Sequence, residues 1–535
     1  MAGPCFIGVD VGTGSVRAGV FDEDGGLLGH ASRTLKLWKN GDHVEQSSAD
    51  IWEKTCEAVR EARTAADIAK ERVVGIGFDA TCSMVVVDKD GEPLPVGLSD
   101  EPARNVIVWM DHRALKETDD INATSHPVLS FVGGQISPEM ETPKLLWLSR
   151  HAPETFAKAG HFFDLPDYLS FRATGDSARS NCTVVCKWTY LGHEKRWDRS
   201  YFEEIGLGQL AGEEFDRIGP RVIDVATPIA SGLTEKAASE LDLLAGIAVG
   251  ASLIDAHSGG LGTLGAGGRD PATEMAVIAG TSACTMTLSR QPRFVEGVWG
   301  PYFGALLPGF WLNEGGQSAF GAALDHAVSL HPAFAAARDA AEAAGQPLLA
   351  FLEERAVQRA GTSEAASLIG AGLDVVPEFL GNRSPDPDPH ASAIISGLRL
   401  GADLDDLVDL YVATLRGLAY GTVDIVERLR ANGQTIDRLI LSGGFAKSAL
   451  MRRILSDATG SDVELAGSKE PVLLGAAMLG AVAARVYQDV AAAASRMVHR
   501  GDNLQADPEK AAVHGKAHAR YRLLKQVQRE LRALV

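Results

Sequence analysis

"FIGVDVGTGSVRAGVFDEDG", Phe6 to Gly25, sets two short apolar runs around a loop of two glycines, a threonine and a serine, and an aspartate closes the first run. Runs of this length bounded by turn residues are strands, not helices. Asp22–Gly26 reads as a tight turn and Leu27–Thr34 as a third strand, so the chain opens as an antiparallel meander. What the loop can bind separates the possible folds. A dinucleotide fingerprint, GxGxxG, needs a third glycine and a helix behind it. Here Arg17 stands at that position and the loop enters a strand. A Walker loop needs GxxxxGK[ST], but the one Gly-Lys pair, Gly515–Lys516, is followed by alanine and lacks the earlier glycine. The third reading is a hairpin that straddles phosphates. Gly12 and Gly14 bring backbone N–H groups close, Thr13 and Ser15 add hydroxyls, and Asp10 holds magnesium through water. An ordinary tight turn also takes glycine, so the segment alone leaves both readings open.

Further segments favour the phosphate reading. Thr273 to Arg290, "TEMAVIAGTSACTMTLSR", again reads strand, small polar loop, strand, with Gly280, Thr281 and Ser282 at its tip. "SLIDAHSGGLG" puts Asp255 at the end of an apolar strand. "LILSGGFAKS" ends a strand at Gly443–Gly444 and opens a helix, a shape suited to a nucleotide's base and ribose. Two phosphate hairpins, one isolated acid and a Gly-Gly turn make up an actin-like ATPase layout. The expected fold class is α/β, two actin-like (ribonuclease H-like) domains flanking a central cleft.

A chain of 535 residues exceeds one compact core. The expected domains are 1–265, 266–490 and a helical tail, 491–535, packed on the second domain. The junction falls in the glycine-rich Gly262–Pro271. Helices are expected from Ser47 onward behind a capping serine, through the alanine-rich 325–370, over Leu404–Asn432, from Lys447, and over Pro471–Val486. "VVGIGFDATCSMVVVD" reads as two strands around a break at Asp79–Ser83. The net charge of −19 argues against nucleic acid and anionic membranes as partners. The small-apolar run from Leu473 is too short to span a bilayer. "MAGPCF" has no secretory pattern, and six scattered cysteines fit a reducing cytoplasm. Cys182 and Cys186, spaced CxxxC with no second pair nearby, read as core thiols rather than a metal site. The sequons at Asn122, Asn181 and Asn382 carry no expected modification.

The order and spacing of "GVDVGTGSVRAGVFD", "VWMDHRA", "TPKLLWL", "DAHSGG", "AGTSA", "LSGGFAKS" and "EPVLLGAAMLGAV" resemble the FGGY family of carbohydrate kinases from about residue 5 to 487. One departure is Arg416 in "DLYVATLRGLAYG", where the family usually has an acid. The resemblance is strongest to the D-ribulokinase-like pentulose kinases, on "DATC" at 79–82 and "SNCTVVCKWTYLGHE" at 180–194. It implies ATP-dependent phosphorylation of the terminal 5-hydroxyl of a ketopentose, D-ribulose first. L-ribulose, ribitol and D-xylulose stay open, as does an actin-like ATPase without a sugar. ATP and Mg2+ are the implied cofactors, a pentulose or pentitol the implied partner, and a homodimer the family-based expectation. Asp255 is the expected general base. Asp79, Thr81, Trp109, Asp111, Lys187 and Asp255 are the expected sugar contacts. Gly12, Thr13, Gly14, Ser15, Gly280, Thr281, Ser282, Gly443 and Gly444 are the expected ATP contacts, and Asp10 the expected magnesium residue. His112 and Arg113 read as surface or ion-pair residues.

Overall fold

A computed structural model describes residues 3–97, 99 and 101–534. Strands β1 (Cys5–Val11), β2 (Ser15–Phe21) and β3 (Leu27–Thr34) form the antiparallel meander, with β1 and β2 in register from Phe6↔Phe21 to Val11↔Val16. Asp22 makes the turn: its Oδ1 accepts the N–H groups of Asp24 and Gly26, and Gly25 takes φ 79°. Helix α1 (Ser48–Ala65) starts where Ser47 accepts the Asp50 N–H, the interaction that makes serine a good cap. Two parallel strands, β4 (Val73–Ala80) and β5 (Ala248–Ile254), complete the sheet in the order β5-β4-β1-β2-β3. The parallel strands are almost wholly buried, which is why they read as apolar runs without alternation. Met84–Val87, the second half of the "VVGIGFDATCSMVVVD" segment, leaves for a small separate antiparallel sheet, so the break is at Thr81–Ser83. Two short helices, α2 (Asn181–Lys187) and α3 (Asp255–Leu261), lie beside β5; α3 begins as that strand ends.

The plan then repeats. Strands β6 (Glu274–Ala279), β7 (Ala283–Ser289), β8 (Trp299–Phe303), β9 (Trp311–Gln317), β10 (Arg438–Ser442), β11 (Asp462–Ala466) and β12 (Arg500–Leu504) form one sheet in the order β8-β9-β7-β6-β10-β11-β12. Its middle strands, β9-β7-β6-β10-β11, match β3-β2-β1-β4-β5 in order and in the alternation of antiparallel and parallel pairing. The two-domain actin-like fold expected from the paired hairpins is therefore present.

Helices α4 (Leu404–Ala431), α5 (Ala449–Thr459) and α6 (Pro471–Ala483) follow the expected segments. In α4, Arg416 is buried and its guanidinium donates to the carbonyls of Ser367, Ile369, Gly370 and Leu373. The departure from the family pattern is thus a brace for a neighbouring loop. Although it follows the second domain's strands, α6 lies across the first sheet, against β1, β4 and β5.

The tail adds β12 to the edge of the second sheet and sends α7 (Pro508–Arg532) across α4 and α5. Its buried face includes His514, His518, Tyr521 and Lys525. Asp424 of α4 accepts from His518 Nε2 at 2.8 Å, Arg522 Nε at 2.9 Å and Lys525 Nζ at 3.2 Å. His514 pairs with the Tyr420 hydroxyl at 3.0 Å. Burial, then the nearby Arg416, Arg453 and Lys510, push His514 down to about 4. The unfolded chain binds this proton near pH 6.5, so the folded state binds fewer protons between the two values. The seat of α7 is therefore expected to be at full strength above pH ~6.5 and to weaken by up to ~3 kcal/mol as pH falls to ~4. Asp424 acts in the next window. Against the upward push of burial, His518, Lys525 and Arg522 hold its carboxyl down to about 2. Its contribution is complete above the ordinary carboxylate value and is lost as pH falls toward 2. Thermal unfolding from pH 7 to 4 checks this: H514Q should flatten the fall in Tm seen for the wild type, and equal slopes would contradict it.

Candidate active site

Three adjacent parallel strands bring three carboxylates to one edge of the first sheet. The register sets Asp10 of β1 opposite Asp79 of β4, and Ala80 opposite Ile254 of β5, so Asp255 follows one residue beyond. The carboxyl ends of parallel strands are where open α/β sheets bind ligands. Asp255 is partly accessible, and its Oδ1 accepts the Ala256 N–H at 2.7 Å. Burial first, and then Asp10, push its carboxyl up to about 6, while the Ala256 N–H, His257 and Lys187 pull the other way. Asp79 is fully buried, and burial followed by Asp10 and Asp255 holds it well above the usual carboxylate range. Asp10 takes Arg17 Nε at 2.7 Å, and the same guanidinium reaches Glu470 at 2.8 Å, just before α6. Crowded carboxylates faced by Arg17 and Lys187 offer an all-oxygen set. That set suits a hard divalent cation that keeps its waters and takes the rest of its ligands from phosphate. The residues present therefore fit magnesium.

Both hairpins are tight. Gly12 N–H bonds Ser15 O at 3.0 Å and Leu35 N–H bonds Gly14 O at 3.0 Å. Thr13 is held from outside: Trp109 Nε1 donates to its hydroxyl at 2.9 Å and Gln46 Nε2 to its carbonyl at 2.8 Å. In the second hairpin, Gly280 N–H bonds Ser282 O at 2.9 Å, and Gly321 N–H bonds Gly280 O at 3.0 Å. Thr281 is exposed at its tip. Gly443 and Gly444 are exposed beside it. Gly443 has φ 87°, and a Cβ there would sit 2.4 Å from Ala279 O, so the turn and the hairpin base touch backbone to backbone.

Among the expected sugar contacts, Thr81 is buried, with its hydroxyl 3.0 Å from Ser83 Oγ; Ser83 in turn accepts the Trp109 N–H at 3.1 Å. Lys187 closes α2, and its Nζ lies 6.0 Å from the centre of the Trp299 ring. Although burial alone would lower it, Cys82, Glu314, Tyr302 and Glu139 hold Lys187 well above the ordinary lysine value. Trp299 and Glu139 line a polar cavity of about 940 Å³ with Arg383 and Lys525. Asp111 does not join this group. Its Oδ1 accepts Arg113 N and Nε, and its Oδ2 accepts Arg113 Nη2 and the Val44 N–H, so the four lone pairs are filled. With Glu45 on the same guanidinium and no side chain exposed, Asp111 and Arg113 form a buried brace. Trp109 is likewise engaged, through its indole N–H, in fixing Thr13.

Sequence reasoning passed over Arg17 and Glu470. Arg17 was in view as the residue that spoils the dinucleotide pattern, and Glu470 opens "EPVLLGAAMLGAV". Their meeting joins positions 453 residues apart, which spacing does not reveal.

The model of the FGGY family of carbohydrate kinases, N-terminal domain, matches residues 5–262, and that of the C-terminal domain matches residues 275–484. An FGGY carbohydrate kinase domain-containing protein of Homo sapiens is 46% identical over 92% of this chain and 91% of its own length. A D-ribulokinase of Saccharomyces cerevisiae is 37% identical over 90% of this chain and 72% of its own. The xylulose kinase of Rhodospirillum rubrum superposes with a TM-score of 0.81 at 22% identity, covering 98% of this chain and 99% of that one, a likeness of fold. Two hairpins, a Gly-Gly turn and an acid at the strand ends thus sit on a matching scaffold, and the chain belongs to the FGGY family of carbohydrate kinases, sugar kinases that take their phosphoryl group from ATP.

Proposed function

We propose that this protein phosphorylates the 5-hydroxyl of a ketopentose, D-ribulose before other pentuloses, with Asp255 as general base. The observation that carries the reading is the position of Asp255: partly open, at the end of β5, beside Asp10 and within electrostatic reach of Lys187. Phosphoryl transfer asks mainly for positioning and charge neutralisation. Asp255 accepts the hydroxyl proton as the oxygen attacks. Gly12–Ser15 and Gly280–Ser282 hold the triphosphate with N–H and hydroxyl donors. Gly443 and Gly444 leave room for adenosine. Asp10, through water, and with Asp79 behind it, is where magnesium would sit, and the ion would neutralise phosphate charge. Lys187 places a positive charge against the sugar or the travelling phosphate. Thr81 supplies a polar contact to the sugar; Asp79 is left out because it is fully buried behind Asp10, and Asp111 because Arg113 and Val44 occupy it.

The choice of D-ribulose rests on the yeast relative's name and the "DATC" and "CTVVCK" stretches. Coupled ADP release with D-ribulose, L-ribulose, D-xylulose and ribitol tests it. A misplaced hydroxyl leaves a buried donor unpaired at ~1–3 kcal/mol. D-Ribulose is therefore expected to lead in kcat/KM by ~10-fold or more, with little ADP formed when no sugar is present. A higher ranking for another sugar replaces the substrate; sugar-independent release would overturn the kinase reading.

A further inference from the structure

Cys182 and Cys186 stand four residues apart on α2, so their thiols share one face. His257, two residues after Asp255 in α3, meets that face. Its Nδ1 lies 3.1 Å from Cys182 Sγ and 3.9 Å from Cys186 Sγ. The three atoms lie within 4.8 Å of one another, and all three residues are buried. The other ring nitrogen, Nε2, is 3.0 Å from Glu314 Oε2, on β9. We propose that Cys182, Cys186 and His257 form a site for a thiophilic divalent metal ion, Zn2+, with Glu314 fixing the imidazole behind it.

The geometry matches what such an ion requires. Zinc bonds thiolate sulfur at about 2.3 Å and imidazole nitrogen at about 2.0–2.1 Å in a tetrahedron, which spaces sulfur and nitrogen about 3.6 Å apart. The observed 3.1 and 3.9 Å straddle that value. A carboxylate on the far ring nitrogen keeps the proton there and leaves Nδ1 as the electron-pair donor, the usual arrangement behind a metal-bound histidine. Two sulfurs and an imidazole do not suit magnesium, which takes oxygen ligands. The site is therefore separate in chemistry from the nucleotide's cation. Binding releases the thiol protons to the buffer and forms two metal–sulfur bonds and one metal–nitrogen bond. The protein supplies three ligands, leaving the fourth position of the tetrahedron for water. The ion would tie α2, whose last residue is Lys187, to α3, which begins at Asp255.

The test uses the full chain, reduced with a phosphine, stripped of metal with a chelator and titrated with Co2+ as a spectroscopic probe. The expected result is a stoichiometric, saturable thiolate-to-cobalt charge-transfer band with visible bands of tetrahedral intensity. Zn2+ should bleach them and excess Mg2+ should not. C182S and C186S should each lose the charge-transfer intensity in step with the sulfur removed, whereas C56S, on α1, should keep it. Absence of the thiolate band in the wild type, or an unchanged band in C182S and C186S, would overturn the site and leave two core thiols. The readout is independent of phosphoryl transfer, so it stands or falls apart from the pentulose reading.

Discussion

Asp255→Asn is expected to lower kcat by at least ~10²-fold, the lower end of what a positioned general base contributes. Asparagine keeps the shape of the side chain and an Oδ1 that accepts the Ala256 N–H. What disappears is the carboxylate that, in the proposed mechanism, takes the proton. The hairpins at Gly12–Ser15 and Gly280–Ser282 hold themselves through backbone bonds that do not involve Asp255, so the KM for ATP should change little. Stability should move the other way from activity. Asp255 is a carboxylate raised by burial and by Asp10, and Asp79 is strained by the same crowding. Removing one charge relieves both, so Tm should hold or rise, the usual trade at a strained active site. A coupled assay and a thermal scan on the same preparation measure the two effects. A loss of kcat under ~10-fold would remove Asp255 from the base role; a loss of kcat that tracks a fall in Tm would make it a structural residue.

Gly77→Ala is expected to cost about 3 kcal/mol, at the upper end of overpacking penalties, and to lower the apparent Tm by several degrees. The reason is the contact between α6 and the first sheet. A Cβ on Gly77 would sit 2.0 Å from Ala476 O, on Gly8 2.0 Å from Leu473 O, and on Gly75 2.1 Å from Gly480 O. On the helix side, a Cβ on Gly475 would meet Ser258 O at 2.0 Å. All of these obstacles are backbone atoms, which cannot rotate away as a side chain would. Adding a methyl must part the helix from β1 and β4, opening space along a shared core that includes Phe6, Leu473 and Leu474. Gly14→Ala is the control: nothing lies within 4 Å of its added carbon, so Tm should stay within the small range of surface changes. Equal Tm for Gly77→Ala and the wild type would show that the sheet and helix do not meet so closely in solution.

The strands, both hairpins and the long helices were legible because their signals are local: runs, caps and turn residues within a few positions. Ser47 caps α1 and Asp22 closes the first turn through neighbours in sequence. The two-domain plan was legible because one local pattern occurs twice. Contacts that join distant strands left no such trace. That Asp79 lies beside Asp10 follows from parallel register, and that Arg17 meets Glu470 follows from how α6 returns. Asp111 was misjudged for the opposite reason. An Asp-x-Arg pair is as compatible with a sugar pocket as with a brace until Val44 and Glu45 are seen to complete the latter. The cysteine pair read as core thiols because its imidazole partner is 75 residues from Cys182 and its orienting carboxylate a further 57 from His257.

The course of α6 also bears on synthesis. A ribosome that has released β1 to β5 has not yet made Pro471–Ala483, the helix that covers the sheet face carrying Gly8, Gly75 and Gly77. The nascent first half therefore waits with apolar surface uncovered, the condition under which partly made chains recruit chaperones or stick to one another. A truncation ending before this helix cannot stand in for the first domain; a fragment intended to do so must carry the late helix with it.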